Sequence, residues 1–446
     1  MKRFFKYFGW FLLAGLVYGI AVNYPKLELI SGFAAKSVAS GHFLDHRSLE
    51  IINQTDNDLP LVRLAKNSFD ELGKFATSSV YGLKERKAIY REGLGATLID
   101  DSFDVSLPYE IPKRAQPRIA LPYPLGTLPE KDTVFSNIEQ QKLQSVVENA
   151  FDQSGEKTKR TRAIVVLYKD HLIAEKYAPG FDKNSKILGW SMTKSITGTY
   201  FGILQHQHKI DINKAAPIKE WQNDDRQKIT LNDLLHMNSG LEWEENYEKI
   251  CDATQMLFKS RDMSRVQLEK PLVGKTNQSW NYSSGTTNLL SGILRKQFES
   301  HQQYLDFWYS SLLDKIGMYS AVIETDMAGN FVGSSYGWAT ARDWAKFGLL
   351  YLHQGNWNGE QIFDKNWAKY VSTATLTSNG SYGAQFWLNA GGKFSDVPRE
   401  MYYCSGFQGQ MVAIFPQRDL VVVRMGTSED FDFNGLLSGI VNSIKK

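Results

Sequence analysis

Ser191-Met192-Thr193-Lys194 is a pairing of residue types that could do chemistry. Residues three apart on a helix share a face, so a lysine amine at that spacing reaches the serine hydroxyl. A serine hydroxyl is a weak nucleophile at neutral pH and needs a base beside it. A lysine serves as that base only when neutral, and burial together with the positive end of a helix dipole favours the neutral form. The same helix end presents backbone N–H groups to a developing oxyanion. A serine and lysine on a solvated surface helix would give the same four letters. The surroundings argue otherwise: Ser195, Gly198 and Gly202 continue one face from Ser191, while Met192, Ile196 and Ile203 line another. A helix apolar over most of its circumference is a buried one.

Two further segments carry candidate groups. In Trp280-Asn281-Tyr282-Ser283-Ser284-Gly285, the Tyr282 hydroxyl is a general base or acid if it lies beside a lysine ammonium. A plain helix N-cap at Ser283 or Ser284, preceded by packing aromatics, explains the same residues. In Cys404-Ser405-Gly406-Phe407-Gln408-Gly409-Gln410, a glycine at a strand end lets the backbone approach a ligand, and one N–H there could complete an oxyanion site. A glycine bulge entering a strand fits equally.

These residues need elements to position them. Ala163–Tyr168 and Leu172–Tyr177 are β-rich runs around a hairpin signal at Lys169-Asp170-His171, and Gln410–Phe415 and Leu420–Met425 flank Pro416–Asp419 in the same way. Helical runs lie near Leu231–His236, Thr287–Gln297, Ala339–Gly355 and Phe433–Ile444, and Ser136-x-x-Glu139 reads as a capping box. The expected fold class is α+β: an antiparallel sheet built from both ends of a domain spanning 133–446, flanked by helices, with a mostly helical second lobe. Six of the thirteen prolines fall between Pro108 and Pro129, which predicts an extended linker or strap over 107–132. Residues 24–106 form an extension of unknown role, with helical character at Leu61–Phe75 and a strand at Gly93–Ile99.

Composition narrows the class. With 42% hydrophobic residues and a net charge of +3, the chain is globular, and no basic run points to nucleic acid. His206 and His208 form a close pair without further ligands, so no metal site is expected. Cys251 and Cys404 make neither a disulfide framework nor a zinc pattern. Lys2, Arg3 and Lys6 precede the uncharged run Phe8–Val22. Residues 1–23 therefore read as a signal-anchor, or as a cleaved signal peptide. The expected location is the inner membrane with the catalytic domain in the periplasm or outside the cell, or secretion if the segment is removed.

Taken together, S-x-x-K, the tyrosine motif and the glycine strand resemble the serine β-lactamase and penicillin-binding-protein superfamily of the class C type. Leu234–Leu241, Ala339–Gly348 and Tyr382–Trp387 are similar to further segments of that superfamily, with Met237 where it carries histidine. Within it the chain looks closest to the 6-aminohexanoate-dimer (nylon oligomer) hydrolase and esterase branch. The resemblance implies a Ser191 acyl-enzyme, Lys194 and Tyr282 as general base and acid, and an oxyanion held at Ser191 and Phe407 beside Gly406. It implies Ser284 at the substrate or the lysine, and neither metal nor organic cofactor. Two departures stand out: Ser284 replaces the asparagine of Y-x-N, and Cys404-Ser405-Gly406 replaces K-T-G. The lost lysine binds carboxylates in β-lactams and peptides, so a small or oligomeric neutral ester or amide is the expected substrate. The alternatives are a non-catalytic cell-wall or ligand-binding protein on this fold, and a penicillin-binding D-alanyl peptidase.

Overall fold

The computed structural model describes residues 2–153 and 155–445, which divide into two units. The first comprises residues up to Leu107 together with Glu245–Arg261, and the second comprises Pro108–Glu244 and Asp262 onward.

In the first unit a 42-residue helix, Lys2–Phe43, packs on a four-stranded antiparallel meander. The strands are Ala65–Asp70, Phe75–Val80, Leu83–Arg91 and Gly95–Ile99, each paired with the next. Leu29, Ala34, Ala35, Val38 and Ala39 of the helix are buried, as are Ala76, Val80, Ala88 and Leu98 of the sheet. The helix expected within Leu61–Phe75 is instead a short 3-10 turn, Val62–Leu64, running into the first strand. Its alternating half-buried and exposed residues suit a strand paired along one edge. A short helix, Asp252–Lys259, completes this core: Phe258 meets Phe33 with ring centroids 5.5 Å apart and its carbonyl accepts from Arg86 at 2.8 Å.

The long helix runs on past residue 23 without a break, and no helix among the described residues is long and apolar enough to cross a membrane. Fifteen uncharged residues fall short of the ~20 a span needs, and Asn23, Lys26 and Glu28 follow directly. The side chains of Lys2, Arg3 and Lys6 lie outside the described residues. The aromatic residues that are described on this stretch, including Tyr7, Trp10 and Phe11, are exposed.

The second unit has the α+β architecture. Its six-stranded antiparallel sheet runs in the order Trp387–Leu388, Tyr402–Gly406, Gln410–Phe415, Leu420–Gly426, Thr161–Tyr168, His171–Tyr177. Both ends of the domain thus meet in the sheet centre, where Leu420–Gly426 pairs with Thr161–Tyr168. One sheet face packs on the helices Gln140–Asn149 and Phe433–Ser443 through Leu143, Val147, Val166, Phe415, Leu437 and Ile440. The other meets the helix Ala341–Leu352, whose Gly348 leaves room for Val412 and Val421. The first hairpin turns on Lys169 and Asp170 alone, both at positive φ, and His171 already belongs to the strand. The Ser136 capping box does not form. Glu139 is the N-cap, because Ile138 bridges Ile444 and the Glu139 N–H donates to Ser443 O, so pairing with the C-terminal segment takes that backbone. Residues 108–120 run without helix or strand and 122–128 close a turn in which Pro122 bridges Leu128; the segment is fastened where Asp314 accepts from Arg114 Nε and Ala115 N at 2.8 Å each and where Tyr123 Oη donates to Arg342 O.

Candidate active site

The site is built on the N-terminal end of the helix Thr193–His206, which is buried as far as Leu204. A three-stranded sheet, Lys186–Leu188 with Gly337–Thr340 and Val322–Ile323, delivers the chain to it. Trp190 then adopts a left-handed conformation, φ 48°, and a 3-10 turn Trp190–Met192 sets Ser191 two residues before the first residue of the helix. A non-glycine residue held there costs on the order of 1–3 kcal/mol, and such strain clusters at functional sites. The stripe of small residues has a packing reason. A β-carbon on Gly198 would fall 3.0 Å from Gln385 Cβ, one on Gly202 would run into the Trp367 ring, and Ser195 Oγ donates to Gln385 O at 2.7 Å.

Lys194 is 1% exposed, and its Nζ lies 2.9 Å from Ser191 Oγ, 2.9 Å from Ser284 Oγ and 3.0 Å from Ser334 O. One buried amine therefore bridges the two candidate hydroxyls. The choice between Ser283 and Ser284 is resolved by capping. Ser283 caps the helix Ser284–Arg295, accepting from Thr286 N at 2.9 Å, which leaves Ser284 to face the lysine. Met237, in the place of the superfamily's histidine, props this segment: its carbonyl accepts from Asn281 N at 2.9 Å and its sulfur from Ser283 N at 3.3 Å. The Tyr282 ring centroid is 4.8 Å from Lys194 Nζ. Tyr282 also belongs to an aromatic group, with Trp387 at 5.1 Å and Tyr382 at 5.8 Å, and Trp280 5.4 Å from Tyr382.

The glycine strand comes up beside the turn that carries Ser191. A β-carbon on Gly406 would run into the Gly189 carbonyl, so only glycine permits this approach. Phe407 meets Trp190 edge to face at 5.5 Å. Cys404 lies on the strand Tyr402–Gly406 that leads into Phe407. It is buried, free, and aligned with Val412 in the sheet, and burial pushes its thiol up to about 12, with a hydrogen bond from Ser195 opposing.

Several residues that sequence reasoning passed over hold the Phe407–Gly409 turn. Buried Arg424 donates to Gly409 O at 2.7 Å and Gln408 O at 3.2 Å. Gln410 Nε2 donates to Phe407 O at 3.0 Å, and Gln408 N donates to the Glu429 carboxylate. Burial lowers Arg424 to about 9 and raises Glu429, for which the Gln408 bond and Arg424 pull the other way. The one available signal was an arginine alone in the apolar run Leu420–Met425. His206 ends the helix Thr193–His206 and His208 lies just beyond it, far from Ser191 in sequence, and no group of potential metal ligands exists among the described residues.

A half-buried serine in the turn entering a helix, three residues before a buried lysine and beside one end of an antiparallel sheet, is the arrangement of a class of hydrolases. The profile of the beta-lactamase family matches residues 147–437, and the chain belongs to that family and is a hydrolase. It is 25% identical over 323 residues to a 6-aminohexanoate-dimer hydrolase of Paenarthrobacter ureafaciens, a match covering 64% of this chain and 78% of the relative. Among solved structures, it resembles a proposed 6-aminohexanoate-dimer hydrolase from Bacillus anthracis, with TM-score 0.57 and 21% identity over 72% of this chain and 86% of that one. A family VIII carboxylesterase matches with TM-score 0.55 and 12% identity over 71% and 100% of the two chains.

Proposed function

We propose that the protein hydrolyses a short linear ester or amide through an acyl-enzyme on Ser191. The observation that carries this reading is the buried Lys194 amine held 2.9 Å from both Ser191 Oγ and Ser284 Oγ. Lys194 takes the Ser191 proton as the oxygen attacks the substrate carbonyl carbon. The backbone N–H groups of Ser191 and Phe407 hold the oxyanion, and the turn carrying Phe407 is kept rigid by Arg424, Gln410 and Glu429. The tetrahedral adduct collapses as the leaving alcohol or amine receives a proton from Lys194 or Tyr282. Water, deprotonated by the same pair, then attacks the acyl carbon and releases the acid and Ser191. Ser284 holds the lysine in line between these steps.

The substrate is neutral near the scissile bond. Cys404, in the place of the lysine of K-T-G, supplies no cation there, which disfavours penicillins and D-alanyl peptides. The name of the Paenarthrobacter relative supports a linear amide, and that of the family VIII structure an ester. The catalytic domain acts outside the cytoplasmic membrane, held there or exported by the N-terminal helix, whose exposed Tyr7, Trp10 and Phe11 suit the lipid interface. A fluorophosphonate probe, followed by peptide mapping and a panel of acyl esters, linear amides and a chromogenic cephalosporin, tests the reading. Label on Ser191 with ester or amide turnover is expected. Folded protein that neither labels nor turns over any of these would instead be a binding protein on this fold.

A further inference from the structure

The Lys194 amine has a third partner that the mechanism above leaves unexplained. Its Nζ lies 3.0 Å from the carbonyl oxygen of Ser334. A carbonyl can only accept, so one N–H of the amine is committed to it in either protonation state. Ser334 is fully buried, and its own N–H donates to Asn288 Oδ1 at 3.0 Å. Asn288 is buried too, and stands on the helix Ser284–Arg295 four residues beyond Ser284. That spacing puts both on one helix face. One helix therefore meets the amine twice: directly through Ser284 Oγ at 2.9 Å, and indirectly through Asn288 and the backbone of Ser334.

The segment Phe331–Gly337 is held between this helix and Thr193–His206. Ser291 Oγ donates to Phe331 O at 2.7 Å, Thr197 Oγ1 donates to Gly333 O at 2.8 Å, and Gly337 N donates to Thr193 Oγ1 at 2.9 Å. A β-carbon on Gly333 would fall 2.5 Å from Thr197 Oγ1, so the backbone runs close against the helix there. Within this segment Ser334 is the residue whose carbonyl turns to Lys194, and Asn288 is the side chain that fixes its N–H. With that acceptor removed, the buried N–H must find another, and Ser334 turns to reach it, carrying its carbonyl away from the amine.

We propose that Asn288 is a positioning residue that aims the lone pair of Lys194 at Ser191 through the backbone of Ser334. The proposal rests on the reading of Lys194 as the base for Ser191. A neutral amine has two N–H bonds and one lone pair. Ser334 O takes one N–H and Ser284 Oγ the other, which leaves the lone pair directed at Ser191 Oγ, 2.9 Å away. As the Ser191 oxygen bonds to the acyl carbon, its proton passes onto that lone pair. The ammonium so formed keeps both hydrogen bonds and needs no rearrangement, which is what a prearranged acceptor set contributes to the step.

The test measures hydrolysis of 4-nitrophenyl pentanoate, the rate of fluorophosphonate labelling at Ser191, and thermal melting. Asn288→Leu removes the acceptor, and should lower kcat and the labelling rate about tenfold or more while KM stays within about twofold. Ser291→Ala breaks a bond from the same helix to the same segment without touching a partner of Lys194. It should lower the melting temperature and leave kcat unchanged. Asn288→Asp keeps an acceptor for Ser334 N but adds a negative charge that holds the proton on the lysine. Its kcat should return toward the native value at high pH, with the acid limb of kcat/KM displaced to higher pH. Asn288→Leu that folds and keeps kcat, or that loses it only as Ser291→Ala does, would overturn the proposal. If Asn288→Leu does not fold, Asn288→Asp decides, and an acid limb at the native position overturns it. Either result with Ser191 still labelled leaves the nucleophile reading standing. Native protein that neither labels nor hydrolyses the ester overturns both.

Discussion

Replacing Gly406 by alanine adds one methyl group at the tightest point between the sheet and the nucleophile turn. The new β-carbon would overlap the Gly189 carbonyl oxygen and lie 3.1 Å from its carbon, with Gln410 Cβ at 3.2 Å on another side. Backbone cannot swing aside as a side chain does, so relief requires the strand end and the Gly189–Ser191 turn to part by on the order of 1 Å. That separation widens the gap between the Ser191 and Phe407 N–H groups. A displacement of this size in a reacting geometry costs about 10²-fold in kcat, or about 2.7 kcal/mol of barrier. Overpacking itself destabilises by about 1–3 kcal/mol. Gly348→Ala is the matched control: its β-carbon would fall 2.7 Å from Val421 Cγ1 and 2.8 Å from Val412 Cγ1, on the sheet but away from the site. Steady-state kinetics on a 4-nitrophenyl ester with thermal melts should show both variants losing stability and only Gly406→Ala losing kcat. Gly406→Ala that folds and keeps kcat within about threefold would refute the oxyanion geometry.

Ser191→Ala should lose at least about 10³-fold in kcat and all fluorophosphonate label, and label persisting on another serine would discard the assignment. Cys404→Lys should not rescue β-lactam turnover but lower the melting temperature, since an ammonium beside Tyr351 and Ser195 is buried at a cost of several kcal/mol. Unchanged melting with new cephalosporin hydrolysis would count against this. His236 is held neutral because burial pushes it down to about 4, against the opposing charge of Asp233. Its folded pKa lies below the ordinary 6.5, so the stability it contributes is full above pH 6.5 and lost as pH falls toward 4, by at most about 3 kcal/mol. Denaturant titrations across that range should give His236→Gln a flatter profile than the native chain, and parallel profiles would exclude the role.

The hydrolase domain was legible where local pattern and tertiary role agreed. Ala163–Tyr168 and Leu420–Met425 are strands by composition, and the sheet buries both on two faces. The closeness of Lys194 to Ser191 was legible because a three-residue spacing brings the side chains together, in a 3-10 turn entering a helix as in the helix itself, and because that helix is buried on nearly every side. The misreadings have a common cause in long-range pairing. Ala65–Asp70 has a weak strand signal of its own and is held by Phe75–Val80, and Ser136 loses its cap to a bridge with the chain's other end. Cys404 stands in the place of the superfamily's motif lysine, and what the sequence does not show is that the strand turns it inward, toward Ser195 and Tyr351. Asn288 and Arg424 gave little warning, because their importance lies in which backbone groups they hold.

The membership of Glu245–Arg261 in the first unit bears on how the protein is made. Met256, Leu257 and Phe258 are buried, and Phe258 reaches Phe33 and Arg86, some two hundred positions earlier in the chain. The N-terminal unit therefore cannot finish folding when its own first hundred residues emerge from the ribosome. It waits, with part of its apolar surface uncovered, until the hydrolase has been synthesised past Arg261. A truncation that removes the first unit strands Met256, Leu257 and Phe258 without their partners, and expression of residues 108–446 alone should yield aggregation-prone protein. The two parts were not joined like beads on a string. They share a stretch of polypeptide, so neither can be lost or exchanged in evolution without reworking the other.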